Sequence, residues 1–111
     1  MEFNLVMDAR PPDAVITAGG ELDLFTADQL HDRLQDAIEI GCVRVLLDLG
    51  RVSFVDASAV RVLSRFHTHL SEKSGHLRFI AWSPPFLRIC QMTGLDTTFG
   101  ISENDRLRVV S

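Results

Sequence analysis

The chain has 111 residues, of which 46% are hydrophobic and 23% charged, and a formal net charge of −4. That length fits one domain, residues 1–111, with a core that needs neither disulfide nor metal support. The acidic balance, with the 11 Lys and Arg scattered rather than clustered, argues against nucleic acid or an anionic membrane as partner, and no apolar stretch nears the ~20 residues that span a bilayer.

Phe3 to Met7 alternates apolar and polar residues and predicts a strand. Arg10-Pro11-Pro12-Asp13 is a turn signal, and Ala14 to Ala18 is a second strand, antiparallel to the first because the connection is short. Gly19-Gly20-Glu21-Leu22-Asp23 reads as a turn and loop. Thr26 is the expected cap of a helix, with Gln29 completing a capping box. Ala27, Leu30, Leu34, Ala37 and Ile38 form its apolar stripe, and Gly41 follows its end near Ile40.

Val43 to Leu49 is nearly continuously apolar, as expected of a central strand covered on both faces. After a short loop Asp56 caps a second helix, whose core face is Val60, Leu63, Phe66 and Leu70 and whose stop is Gly75. His76 to Trp82 predicts a further strand. Ser83 then caps a third helix that opens on Pro84-Pro85 and ends at Gly94. Phe99-Gly100-Ile101 is expected as a short last strand, and Arg106 to Ser111 reads either as a terminal strand or as a frayed helical end.

The order β-β-α-β-α-β-α-β predicts an α/β fold with a mixed, mainly parallel sheet of about five strands and three to four helices. In such a sheet the loops that follow parallel strands share one end. Asp23, Asp56, Ser58 and Ser83 therefore fall on one rim, which brings Asp23 and Ser58 together from distant positions in the chain.

Known catalytic constellations do not fit this rim. A serine hydrolase needs a histidine beside Ser58. His31, His67 and His69 lie within helices, His76 begins a strand at the opposite rim, and no Gly-x-Ser-x-Gly elbow is present. His67 and His69 point to different sides of their helix, and no Cys/His cluster has metal-ligand spacing, so no metal or cofactor is expected. Gly19-Gly20 is too short for a phosphate loop. Cys42 and Cys90 are far apart in apolar settings and read as two buried thiols. Met1-Glu2-Phe3-Asn4 lacks the basic start and apolar core of a secretory signal, so a cytoplasmic location is expected. Capping accounts for Asp56, whereas Asp23 has a weaker structural reason and stands as a binding candidate.

Three segments carry a resemblance. Gly20-Glu21-Leu22-Asp23 with Thr26-Ala27, Leu47-Asp48-Leu49 with Val52, Phe54 and Asp56-Ala57-Ser58-Ala59-Val60, and Thr93-Gly94-Leu95-Asp96 with Phe99 together resemble the STAS domain, in order and at its spacing. The group it resembles most is the stand-alone bacterial anti-sigma factor antagonists. That resemblance implies a protein that binds an anti-sigma factor serine kinase, frees a sigma factor, is released by phosphorylation at Ser58, and is reset by a serine phosphatase. It implies a partner-binding surface at Asp23, Asp56, Ala57, Ser58, Ala59 and Arg61. The family's Ser-Ser-Gly is Ala57-Ser58-Ala59 here. One potential acceptor is thus absent, and a methyl group stands where a partner's backbone would approach. The other readings are a STAS docking subunit of a lipid-transport or signalling complex, not phosphorylated, and a small enzyme of unknown type. Exposed strand edges are compatible with a monomer or a weak homodimer.

Overall fold

The structure is a computed structural model and describes residues 2–103. The elements run β1 (Asn4–Arg10), β2 (Asp13–Leu22), α1 (Leu24–Glu39), β3 (Arg44–Val55), α2 (Ala57–Glu72), β4 (His76–Trp82), α3 (Pro84–Thr93) and α4 (Leu95–Phe99). The expectation for Arg106 to Ser111 lies outside the described residues.

The sheet has the order β1-β2-β3-β4. β1 pairs antiparallel with β2, as the short Pro-Pro turn requires, while β2, β3 and β4 are parallel. The fold class thus agrees with the sequence, with four strands among the described residues where about five were expected. The missing strand is the Phe99 segment. Leu95 to Phe99 forms the short helix α4, bracketed by Gly94 at φ 76° and Gly100 at φ 66°. Two left-handed glycines enclose one turn of helix between them. Phe99 then drops into the core beside Phe79, 4.7 Å between ring centroids, and Phe86.

The strands leading to the rim are longer than expected. β3 does not end at Leu49 but continues to Val55, and β2 continues through Gly19-Gly20 to Leu22. Two register shifts allow this extension. Gly20 has φ +89°, and a Cβ there would lie 1.9 Å from the Glu2 carbonyl oxygen, so the double glycine permits a strand irregularity and a close backbone approach rather than a turn. β3 is also not covered equally on both sides. Val45, Leu47 and Leu49 are buried, whereas Leu46 and Asp48 between them are half-buried.

α1 buries Ala27, Leu30, Leu34 and Ala37, leaving Ile38 half-buried, and α2 buries Ala59, Val60, Leu63, Phe66 and Leu70. Each large side chain of that α2 face contributes about 1.5–3 kcal/mol by leaving water. α2 ends at Glu72, and the left-handed residue beyond its cap is Ser74 at φ 62° rather than the expected stop, Gly75, whose role is a close approach. A Cβ on Gly75 would meet the Val43 carbonyl oxygen at 2.0 Å, where β4 enters beside β3. Ser83 occupies the cap position of α3, but its side chain makes no cap hydrogen bond. Pro85, the second helical residue, has no N–H to offer, which removes one of the two usual donors to a capping oxygen.

Candidate partner-binding site

Leu22 of β2 pairs with Val55 of β3, and the Asp56 N–H donates to the Leu22 carbonyl at 3.2 Å. Asp23 and Asp56 are therefore the first residues beyond two hydrogen-bonded strand ends. This is the rim that the topology predicts, and Ser58 stands on it in the first turn of α2. His76 begins β4, at the opposite end of the sheet.

Asp23, not Thr26, caps α1. Its Oδ1 accepts the N–H groups of Phe25 and Thr26, both at 3.0 Å, while Thr26 Oγ1 accepts the Asp23 N–H at 2.8 Å. Aspartate is the better cap, so the helix begins at Leu24 and Thr26 becomes the reciprocal partner of the capping box. These bonds, the Thr26 N–H first among them, hold the Asp23 carboxyl below the usual carboxylate range against an opposing desolvation. The folded state thus binds a proton there less readily than the unfolded chain. The cap's contribution is complete above the unfolded carboxylate's value and is lost as pH falls below about 4. Asp23→Asn keeps an accepting oxygen without the titration. The stability advantage of the wild type over this variant is expected to shrink between about pH 5 and 3. Acid melting curves that stay parallel over that interval would contradict it.

Asp56 does two things with one oxygen. Its Oδ1 caps α2 by accepting the N–H of Ser58 at 3.0 Å and of Ala59 at 3.4 Å, and it also accepts the Ser58 hydroxyl. The half-buried hydroxyl is thereby fixed at the mouth of the helix. Asp56→Ala is expected to cost about 0.5–2 kcal/mol of stability through the lost cap. It also sets the hydroxyl free to rotate. Urea unfolding measures the first effect, and an unchanged midpoint would remove the cap from the account.

The other expected site residues divide by burial. Ala57 is half-buried and Arg61 exposed on the next turn of α2. Ala59 is fully buried in the core, so its methyl group is not presented at the rim and the expected contact with a partner's backbone does not exist at its side chain. Three apolar residues outside the expected site set are exposed here: Leu24 at 61%, Phe25 at 79% and Phe54 at 49%. Leu24 and Phe25 open α1 beside Asp23, and Phe54 lies next to the paired Val55. Leu24-Phe25 falls outside the stripe that starts at Ala27, and that mismatch was the available signal.

Ser58 also lines a cavity of about 530 Å³ between α1 and α2, with Leu24, Asp28 and His31 on one wall and Arg61 and Arg65 on the other. His31 therefore shares a cavity with Ser58, although they lie far apart in sequence. The Ser58 hydroxyl is nevertheless bonded to Asp56, and the His31 ring contacts Asp32 at 3.4 Å and packs edge-on against Phe66. That geometry is not the serine–histidine pair of nucleophilic catalysis. Among the described residues no group of three His, Cys, Asp or Glu side chains gathers to hold a metal ion, and no helix is long and apolar enough to cross a membrane. Cys42 and Cys90 are buried free thiols, and burial pushes the Cys90 thiol up to about 12, which keeps it protonated and unreactive.

The family model of the STAS domain matches residues 4–106, and the chain belongs to that family. Its relatives include anti-sigma factor antagonists. An anti-sigma F factor antagonist of Paenibacillus polymyxa is 26% identical over 106 residues, covering 95% of this chain and 91% of that protein. The anti-sigma-F factor antagonist RsfB of Mycobacterium tuberculosis is 30% identical over 89 residues, covering 78% of this chain and 70% of its own. The same architecture occurs in an anti-sigma factor antagonist from Mycobacterium paratuberculosis, with a TM-score of 0.77, 23% identity, and coverage of 98% and 94% of the two chains. It occurs also in the Bacillus cell fate determinant SpoIIAA in its phosphorylated form, with a TM-score of 0.68, 24% identity, and coverage of 99% and 100%.

Proposed function

We propose that this protein is an anti-sigma factor antagonist that binds an anti-sigma factor serine kinase through its strand-end rim, and that phosphorylation of Ser58 ends the association. The observation that carries this reading is the setting of Ser58. Its half-buried hydroxyl lines an open cavity together with the exposed Leu24 and is held by the Asp56 carboxylate, and among the described residues no histidine is hydrogen-bonded to it. A surface of this kind suits recognition and modification by another protein better than turnover of a small substrate. The relatives' function as antagonists of anti-sigma factors supports the same reading. A serine phosphatase would restore the binding form, and the exchange would take place in the cytoplasm. Docking is assigned to Asp23, Asp56, Ser58 and Arg61 with Leu24, Phe25 and Phe54, and Ala57 lies within that footprint.

The intact mass of the wild type and of Ser58→Ala, each incubated with ATP and the candidate anti-sigma kinases of the same organism, tests this. One added phosphate on the wild type and none on Ser58→Ala is the expected result. Stable binding to such a partner with no phosphate from any kinase would replace it with the constitutive docking subunit.

A further inference from the structure

The walls of the cavity beside Ser58 differ in charge from the rest of this acidic chain. Arg61 and Arg65 stand three and seven residues after Ser58, one and two turns along the same face of α2. Both are exposed, both line the Ser58 cavity, and among the described residues neither is in an ion pair. From α1, His31 and Asp28 face them across the cavity. A second hollow of about 230 Å³ shares His31, Val62 and Arg65 with the first and is also lined by His69. The groove therefore carries two guanidinium groups and two imidazoles against one carboxylate, in a chain whose net charge is −4.

We infer that the phosphate on Ser58 is held in cis by the guanidinium groups of Arg61 and Arg65, in the α1–α2 groove. This rests on the reading of Ser58 as the phosphoacceptor and adds a receptor for the phosphate within the same chain. Phosphorylation removes the O–H that Asp56 accepts and sets a group of about −1.5 to −2 charges beside that carboxylate. The Ser58 side chain then leaves the Asp56 rotamer for a staggered position turned from it, and the cavity is the open space that Ser58 lines. There the planar donor forks of arginine match phosphate oxygens, singly or in bidentate pairs. Arg61 acquires two roles in turn: it is free for a partner's carboxylate while Ser58 is a hydroxyl, and occupied once Ser58 is phosphorylated. Release would then involve loss of a binding residue as well as gain of charge.

The test is a 31P NMR titration of protein carrying phosphoserine at position 58, introduced during translation so that no kinase is needed. Free phosphoserine titrates near 6. In the otherwise wild-type protein the midpoint is expected to fall below that of a short phosphopeptide of the same sequence. The double variant Arg61→Gln/Arg65→Gln is expected to raise it by about half a pH unit or more, because nearby cations favour the dianion. The double Arg→Lys variant should retain part of the depression. The N-terminus of α2 also favours the dianion, but it is present in all three proteins, so the difference between them isolates the arginines. Both arginines are exposed, and circular dichroism checks that the variants fold. A midpoint that the Gln variant leaves unchanged, or one raised above the peptide's by Asp56 and Asp28, overturns the clamp. Failure of every kinase to modify Ser58 would overturn the proposed function and leave this measurement standing.

Discussion

Ser58→Asp is expected to lose the kinase partner while keeping the fold, and the enzymatically phosphorylated protein to lose it more completely. The two halves of this expectation rest on different parts of the structure. Stability resides in the buried face of α2, where Val60, Leu63, Phe66 and Leu70 are packed. A negative charge at the N-terminus of that helix is mildly favourable, by about 0.3–1 kcal/mol. On the proposed reading affinity resides in the rim, where Asp23 and Asp56 already place two carboxylates at the strand ends. Desolvating the added carboxylate of Ser58→Asp without a partner in an interface costs about 2–5 kcal/mol. At about 1.4 kcal/mol per tenfold, the complex weakens roughly thirty-fold to several thousand-fold. Calorimetric titration against the kinase reads the affinity and thermal melting by circular dichroism reads the fold. A cooperative melt lost on phosphorylation would mean that the switch acts by unfolding, and an unchanged dissociation constant would remove Ser58 from the interface. Ser58→Ala separates charge from contact: it should bind but not be released by ATP.

Much of this architecture was legible because its signals are local and strong. The two helical stripes, the apolar run at Val43 to Leu49 and the stops at Gly41 and Gly94 each follow from one period or one residue type, and the alternating order fixed the parallel sheet. The common rim followed from topology alone. The errors arose where two local signals competed. Asp23 and Thr26 are both good caps, and only the extended backbone at Asp23, φ −107° and ψ −167°, decides that the helix starts before Thr26. Gly19-Gly20 reads as a turn until the Glu2 backbone is placed against it, a contact that sequence does not carry. Phe99 and Ile101 are apolar at strand spacing, but the glycine between them is left-handed and both side chains enter the core. The α1–α2 groove was not legible at all, since it depends on how two helices pack. The division of the site residues also needed the structure. Ala59 and Arg61 lie two positions apart on one helix, and 3.6 residues per turn send the first into the core and the second into solvent.

The same reasoning sets apart the apolar residues of the rim, where the second large effect is expected. Phe25→Ala and Phe54→Ala, singly and with Leu24→Ser, should weaken the kinase complex strongly at nearly constant stability. A buried phenylalanine such as Phe86 supports the fold, and truncating one typically costs about 3–5 kcal/mol of stability. Phe25, at 79% exposure, has little burial to lose in the free protein. Its apolar area becomes useful only when a partner covers it. Central aromatic anchors of an interface commonly cost about 2 kcal/mol or more on truncation, which is about thirty-fold in affinity. Phe25 follows Asp23 at the start of α1 and Phe54 precedes Val55 and Asp56 at the end of β3, so the proposed docking would cover both. Surface electrostatics alone would give a different pattern: affinity would fall steeply with salt and be insensitive to these truncations. Titrations of the single and combined variants at low and high salt discriminate the two. Truncations that leave the affinity unchanged while salt abolishes it would assign recognition to Asp23, Asp56 and Arg61. Loss of affinity on truncation with weak salt dependence would make the rim a hydrophobic contact in which the charge state of Ser58 decides whether the contact can close.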